Sequence, residues 1–142
     1  MTKKAEAFDL GNIDTIAACN KPAEIEIKHP VTGLPTGFFV SVVGRDSTTY
    51  RTLIRSLADE SLRKQAMGKA SAETLDKLEQ KNIEALVAAT VGWRTGDEPV
   101  AILNGEKLEF SAANARKVYA AILPVREQVA EGLNDLGNFM PA

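Results

Sequence analysis

The sequence predicts a mainly α fold with minor β: a β-hairpin, an antiparallel helix pair, a short Asn-Gly hairpin and C-terminal helices. Three observations predict it. Apolar residues recur at three- and four-residue spacing over 47–66, 72–92 and 111–136, the period of a helix with one buried face. Ile25 and Ile27 alternate with Glu24, Glu26 and Lys28, the period of a half-buried strand. Asn104-Gly105 supplies two residues tolerant of positive φ between two short strand-like segments, as a type I′ turn requires. With 142 residues and 44% apolar content the chain can fill one core. The expected organisation is an N-terminal tail with a short helix over 1–22, a single α+β domain over 23–137 and a C-terminal tail over 138–142.

In chain order, the polar start to about Phe8 is expected to fray, as unanchored termini do. Leu10, Ile13, Ile16 and Ala17 then suggest a short helix ending before Asn20-Lys21-Pro22. The turn formers His29 to Gly37 separate strand 23–28 from the β-branched and aromatic run Phe38 to Val43, which makes 23–43 a hairpin with a long, stiff loop. Gly44-Arg45-Asp46-Ser47 supplies an N-cap for a helix over about 47–66, with Tyr50, Leu53, Ile54, Leu57, Ala58 and Ser61 on one face. Gly68-Lys69-Ala70-Ser71 breaks it, and Ser71 caps a second helix over 72–92 carrying Leu75, Leu78, Ile83, Leu86 and Val87. The short connection favours antiparallel packing. Trp93 to Pro99 ends the pair, and 100–110 is the second hairpin. Ser111 starts the last helical stretch, where Pro124 imposes either a kink or a division into two helices.

Composition removes several functions. Seventeen Lys and Arg against nineteen Asp and Glu give a net charge of −2, unlike the basic balance of a general nucleic-acid binder. One Cys permits no intrachain disulfide, and with one His it leaves no soft-ligand cluster for zinc. No signal-like apolar run follows the basic start, and the most apolar stretch, Ala85 to Val91, is too short for a bilayer core of about 30 Å. The expectation is a soluble cytosolic protein that is not an enzyme, with no cofactor, no metal and no membrane or nucleic-acid partner.

His29 has no obvious nucleophile beside it in sequence and reads as a turn residue bonded to local backbone rather than a general base. Cys19 lacks basic neighbours and reads as a buried thiol. The segment 44–66 carries five cations against three carboxylates, a slight excess that keeps a small DNA-binding regulator among the alternatives. Two features suit a protein partner instead. Helix 72–92 is apolar or small around much of its circumference from Ile83 to Val91, so it is either central in the core or closes an interface. Phe38 and Phe39 point to opposite faces of one strand, so one ring needs cover from outside the hairpin. The candidate partner-binding residues are accordingly Phe38, Phe39, Leu75, Leu78, Ile83, Leu86, Val87 and Trp93, each weighed against an ordinary place in the core.

Two stretches carry a family resemblance. One runs from Ile25-Glu26-Ile27-Lys28-His29-Pro30-Val31-Thr32-Gly33 through Phe38 to Gly44-Arg45-Asp46-Ser47. The other runs from Val91-Gly92-Trp93 through Leu103-Asn104-Gly105-Glu106 to Phe110-Ser111-Ala112-Ala113-Asn114-Ala115-Arg116-Lys117. With Arg126-Glu127-Gln128-Val129 and the Asn138-Phe139 end, the chain resembles the tail assembly chaperones of long-tailed bacteriophages over about residues 23–140. The resemblance implies a small, mainly helical assembly factor in the host cytoplasm, absent from the mature virion. Its implied partners are the tape measure protein, whose apolar faces it would cover, and the tail tube protein, with homo-oligomers an open option. It transfers no binding residues. Members of the family are often made in two lengths by a −1 frameshift, and Gly137-Asn138-Phe139 permits a slippery codon run at that point. The alternatives are a virion structural subunit (a tail tube or connector component), which mass spectrometry of purified particles would detect, and the DNA-binding regulator.

Overall fold

The computed structural model describes residues 7–66 and 75–140. A 3-10 turn over Leu10–Ile13 leads into α1 (Thr15–Cys19). Strands β1 (Ala23–Lys28) and β2 (Pro35–Val42) form the first hairpin. Helices α2 (Thr48–Ala66) and α3 (Leu75–Ala89) follow, then β3 (Thr90–Thr95). Strands β4 (Val100–Leu103) and β5 (Glu106–Glu109) form the second hairpin, and α4 (Ala112–Ala121) and α5 (Leu123–Asn134) end the main body.

The expectation of a mainly α chain with minor β is corrected by this arrangement. The described residues form two antiparallel sheets, β1-β2-β3 and β4-β5, and strand accounts for 23% of the structure beside 53% helix, so the fold is α/β in content. The difference lies at Thr90. The second helix, expected to run to residue 92, ends at Ala89, and the chain continues directly as β3 on the open edge of β2. Thr90, Val91, Trp93 and Thr95 are β-branched or aromatic and favour a pleated strand. No Gly or Pro marks the junction at Ala89-Thr90, so an apolar run crossing it reads as one helix. Thr90 finishes the helix itself, donating its hydroxyl proton to the Leu86 carbonyl at 2.6 Å.

The other elements follow the local signals. Ser47 Oγ accepts from the Tyr50 amide and Ser111 Oγ from the Asn114 amide, each satisfying one of the amides a helix start leaves free. Asn104 and Gly105 both have positive φ, 52° and 83°, as the two-residue turn demands. Pro124 stands in the first turn of α5, where its missing N–H costs nothing, so the proline divides two helices. The break expected at Gly68 to Ser71, with its Ser71 cap, lies outside the described residues.

The core is the space between the inner face of the three-stranded sheet, the C-terminal half of α3, α4, α5 and the second hairpin. Val40, Val42, Ala89, Ala115, Tyr119, Val129 and Leu133 are fully enclosed. Three successive amides fix the crossover from β2 to α2: Val43 donates to Ala89 O at 2.8 Å, Gly44 to Cys19 O at 2.9 Å and Arg45 to Leu133 O at 2.9 Å. That junction ties α3, α1 and α5 to one point of the chain. Gln128 closes the outer edge of β1, accepting from the Lys28 amide and donating to the Lys28 carbonyl, both at 2.7 Å.

Tyr119 gives the core a pH dependence. With the Thr90 proton committed to Leu86 O, the Tyr119 hydroxyl donates to Thr90 Oγ1 at 2.6 Å. Burial pushes its pKa up to about 12. The unfolded chain releases this proton near pH 10 and the folded one holds it, so the stability it contributes is complete below about pH 10 and is lost as pH rises through about 12. Tyr119→Phe should cost about 1 kcal/mol at neutral pH. Urea midpoints from pH 9 to 12 should fall less steeply for the variant than for the parent; parallel slopes would contradict the assignment.

Candidate functional site

Burial divides the eight residues singled out from the sequence. Ile83, Leu86 and Val87 lie on the C-terminal half of α3 and fill the core. Trp93 on β3 is also buried, its ring 6.0 Å from Phe38 and 5.2 Å edge-on from Phe110, with Nε1 donating to the Leu108 carbonyl at 3.1 Å. Phe38 packs against the same core. These five side chains are occupied within the chain.

Phe39 points to the outer face of the sheet, and its cover is a cation. Arg94, its neighbour on β3, lies with its guanidinium carbon 3.9 Å from the ring centroid. The same guanidinium reaches across β2 to both carboxylate oxygens of Glu24 on β1, at 2.7 and 3.1 Å, and donates to Gly96 O at 2.8 Å. The bond to Arg94 holds the Glu24 carboxyl below the usual range and raises the guanidinium in turn. The outer aromatic ring foreseen to need a cover is met by this three-strand strap.

Leu75 and Leu78 are the two exposed members, at 84% and 43%. They stand at the start of α3 on an arm formed with α2. Helix α2 leaves the body four residues after Gly44, beside the point where α3 ends, so α3 returns antiparallel along it. No described side chain of α2 is buried. Leu53 and Leu57 are half-covered, whereas Ile54 and Leu62 are 43% and 64% exposed. The arm therefore carries Ile54, Leu62, Leu75 and Leu78 with much of their apolar surface in solvent.

Ile54 and Leu62 are residues that the sequence reading did not single out. The signal was present in the width of the stripe: Tyr50, Ile54 and Ala58 form one row at four-residue spacing, and Leu53, Leu57 and Ser61 form a second. One neighbouring helix covers one row well, and among the described elements α3 is the main neighbour of α2.

The remaining chemistry is spent locally. His29 Nδ1 accepts from the Val31 and Thr32 amides at 3.1 and 3.3 Å, holding the loop between β1 and β2. A cleft of about 430 Å³ between the sheet, the second hairpin and α4–α5 is walled by Ile27, Phe38, Leu103, Val118 and Ile122. The threonine hydroxyls lining it, Thr36 and Thr95, already donate to the Ile27 and Val100 carbonyls. Among the described residues no three His, Cys, Asp or Glu side chains converge to hold a metal ion, and no helix is long and apolar enough to cross a membrane.

No family model, curated protein or solved structure matches the chain.

Proposed function

We propose that this chain is a non-enzymatic assembly factor of the tail assembly chaperone kind, which binds a tape measure protein and releases it to the polymerising tail tube. The observation that carries the reading is the arm. Four large apolar residues on two helices, Ile54, Leu62, Leu75 and Leu78, keep 43–84% of their surface in water although the body of the chain has a filled core of its own. Apolar rows on neighbouring helices are the complement of an amphipathic helical client. A long helical protein exposes more apolar stripe than it can bury alone, and a small reversible binder covers that stripe until the tube does.

The body supplies a rigid base for such an arm. The three amides at Val43, Gly44 and Arg45 fix its root, and Arg116 with Glu84 and Arg126 with Glu79 tie α3 to α4 and α5. Binding should therefore order little beyond the arm, which keeps the entropic cost low.

The test is co-expression with a tape measure protein encoded in the same genome. A soluble complex that co-purifies is the expected outcome. A client that stays insoluble and forms no complex would overturn the proposal.

A further inference from the structure

The chain has seven arginines, and they divide by location. On the body, Arg94, Arg116 and Arg126 each pair with a glutamate on another element, Glu24, Glu84 and Glu79. At the arm and its root, Arg45, Arg51, Arg55 and Arg63 have no carboxylate within 4.0 Å among the described residues. In a chain of net charge −2 with more carboxylates than cations, four guanidinium groups with no carboxylate partner among the described residues, three on α2 and one just before it, are a local excess.

Three of the four rim an apolar groove. Tyr50, Ile54 and Ala58, one row of α2 at four-residue spacing, form its floor, and Arg45, Arg51 and Arg55 stand around them; its volume is about 300 Å³. Tyr50 is half-buried, whereas Ile54 (43%) and Ala58 are exposed, so the floor is open to solvent and free to meet a partner. The groove starts at the best-anchored part of the arm, within a few residues of the amides that bond Ala89, Cys19 and Leu133.

We infer that this groove docks an acidic amphipathic helix of a partner protein, its apolar residues seated on Tyr50, Ile54 and Ala58 and its flanking carboxylates on Arg45, Arg51 and Arg55. The apolar floor selects a helix face over a phosphate backbone, and the cationic rim selects acidic flanks over basic ones. Guanidinium groups suit the task because each can hold a carboxylate with two parallel bonds and loses little hydration in doing so. The inference rests on the reading of the arm as a protein-binding surface, and it adds the charge that the bound helix must carry.

The probe is a fluorescent helical peptide of about 18 residues, five turns, with leucine at three- and four-residue spacing and glutamate on both flanks. It is titrated with the full chain at about 50 mM and about 300 mM NaCl. Binding that weakens at the higher salt is expected, with a loss of about tenfold or more in the R51E/R55E variant. A lysine-flanked peptide should bind R51E/R55E better than it binds the parent. Arg63→Glu, off the groove, should leave the affinity within about twofold. Both replaced arginines are exposed, and circular dichroism verifies that the variant remains folded.

Absence of peptide binding at either salt overturns the inference, as does equal binding by parent and R51E/R55E. Duplex DNA bound as tightly as the peptide through the same arginines also overturns it, in favour of a nucleic-acid surface. So does a self-associated chain that dissociates in R51E/R55E and ignores the peptide. The peptide contains no phage sequence, so the two proposals fail separately. A tape measure complex without peptide binding removes only the groove, and peptide binding without that complex removes only the choice of client.

Discussion

Trp93→Ala is expected to lower the stability of the fold by about 3–5 kcal/mol, a large part of the about 5–15 kcal/mol that holds a domain of this size. The indole is a central contact between the two sheets. It lies on the inner face of β3 opposite Val40, meets Phe38 on β2 and Phe110 after β5, and bonds the Leu108 carbonyl of the second hairpin. Removing it leaves a cavity, takes the side-chain donor from the Leu108 carbonyl and leaves the hairpin tied to β3 less firmly, through the contacts of Thr95 with Glu98 and Val100. Trp93→Phe keeps most of the packing and loses the Nε1 donor, so it should cost far less than Trp93→Ala. Urea denaturation followed by circular dichroism ranks the three proteins. If the alanine variant loses less than about 1 kcal/mol, the hairpin is held by other contacts and Trp93 is free to serve a partner.

Gly44→Ala is the second substitution with a large expected effect, and its cause is steric. A Cβ at position 44 would collide with Sγ and Cβ of the buried Cys19 and come within 3.2 Å of the Phe139 ring. Neither side can yield easily. The backbone of residues 43–45 is pinned by three hydrogen bonds to α3, α1 and α5, so a shift that relieves Cys19 strains the other two. Overpacking at such a point costs about 3 kcal/mol. Cys19→Ala in the Gly44→Ala background should recover part of the loss, because it removes the sulfur and leaves the Cβ contact. A double-mutant cycle measures that coupling. Full additivity of the two changes, or a Gly44→Ala protein as stable as the parent, would show that the junction is looser than its hydrogen bonds imply.

How much of this was legible in the sequence depends on the range of the physics involved. The β1–β2 hairpin, the Asn104-Gly105 turn, the Ser47 and Ser111 caps and the division at Pro124 are local, and each follows from residues within a few positions of one another. The passage from α3 to β3 is not local. Ala89 and Thr90 differ little in apolar character, and what turns Thr90 to Thr95 into a strand is the open edge of β2, which is distant in the chain.

The candidate surface shows the same limit. Ile83, Leu86 and Val87 and the pair Leu75 and Leu78 form one continuous stripe on α3, and no local signal separates the half that meets α4 and α5 from the half that extends beyond them. The Arg94 cover on Phe39 needed the register of three strands, which only the folded sheet provides. The width of the α2 stripe, by contrast, was readable. Two apolar rows beside a single available neighbour already imply one uncovered row.

The arm's exposed apolar residues are proposed to serve a client and not the fold. The measurement replaces Ile54, Leu62, Leu75 and Leu78 by serine together, then records thermal stability and co-purification with the proposed tape measure client. The expected result is a melting temperature within a few degrees of the parent, because these side chains are 43–84% exposed, and a client that no longer stays soluble. A variant that unfolds, or one that holds the client as well as the parent does, would contradict it.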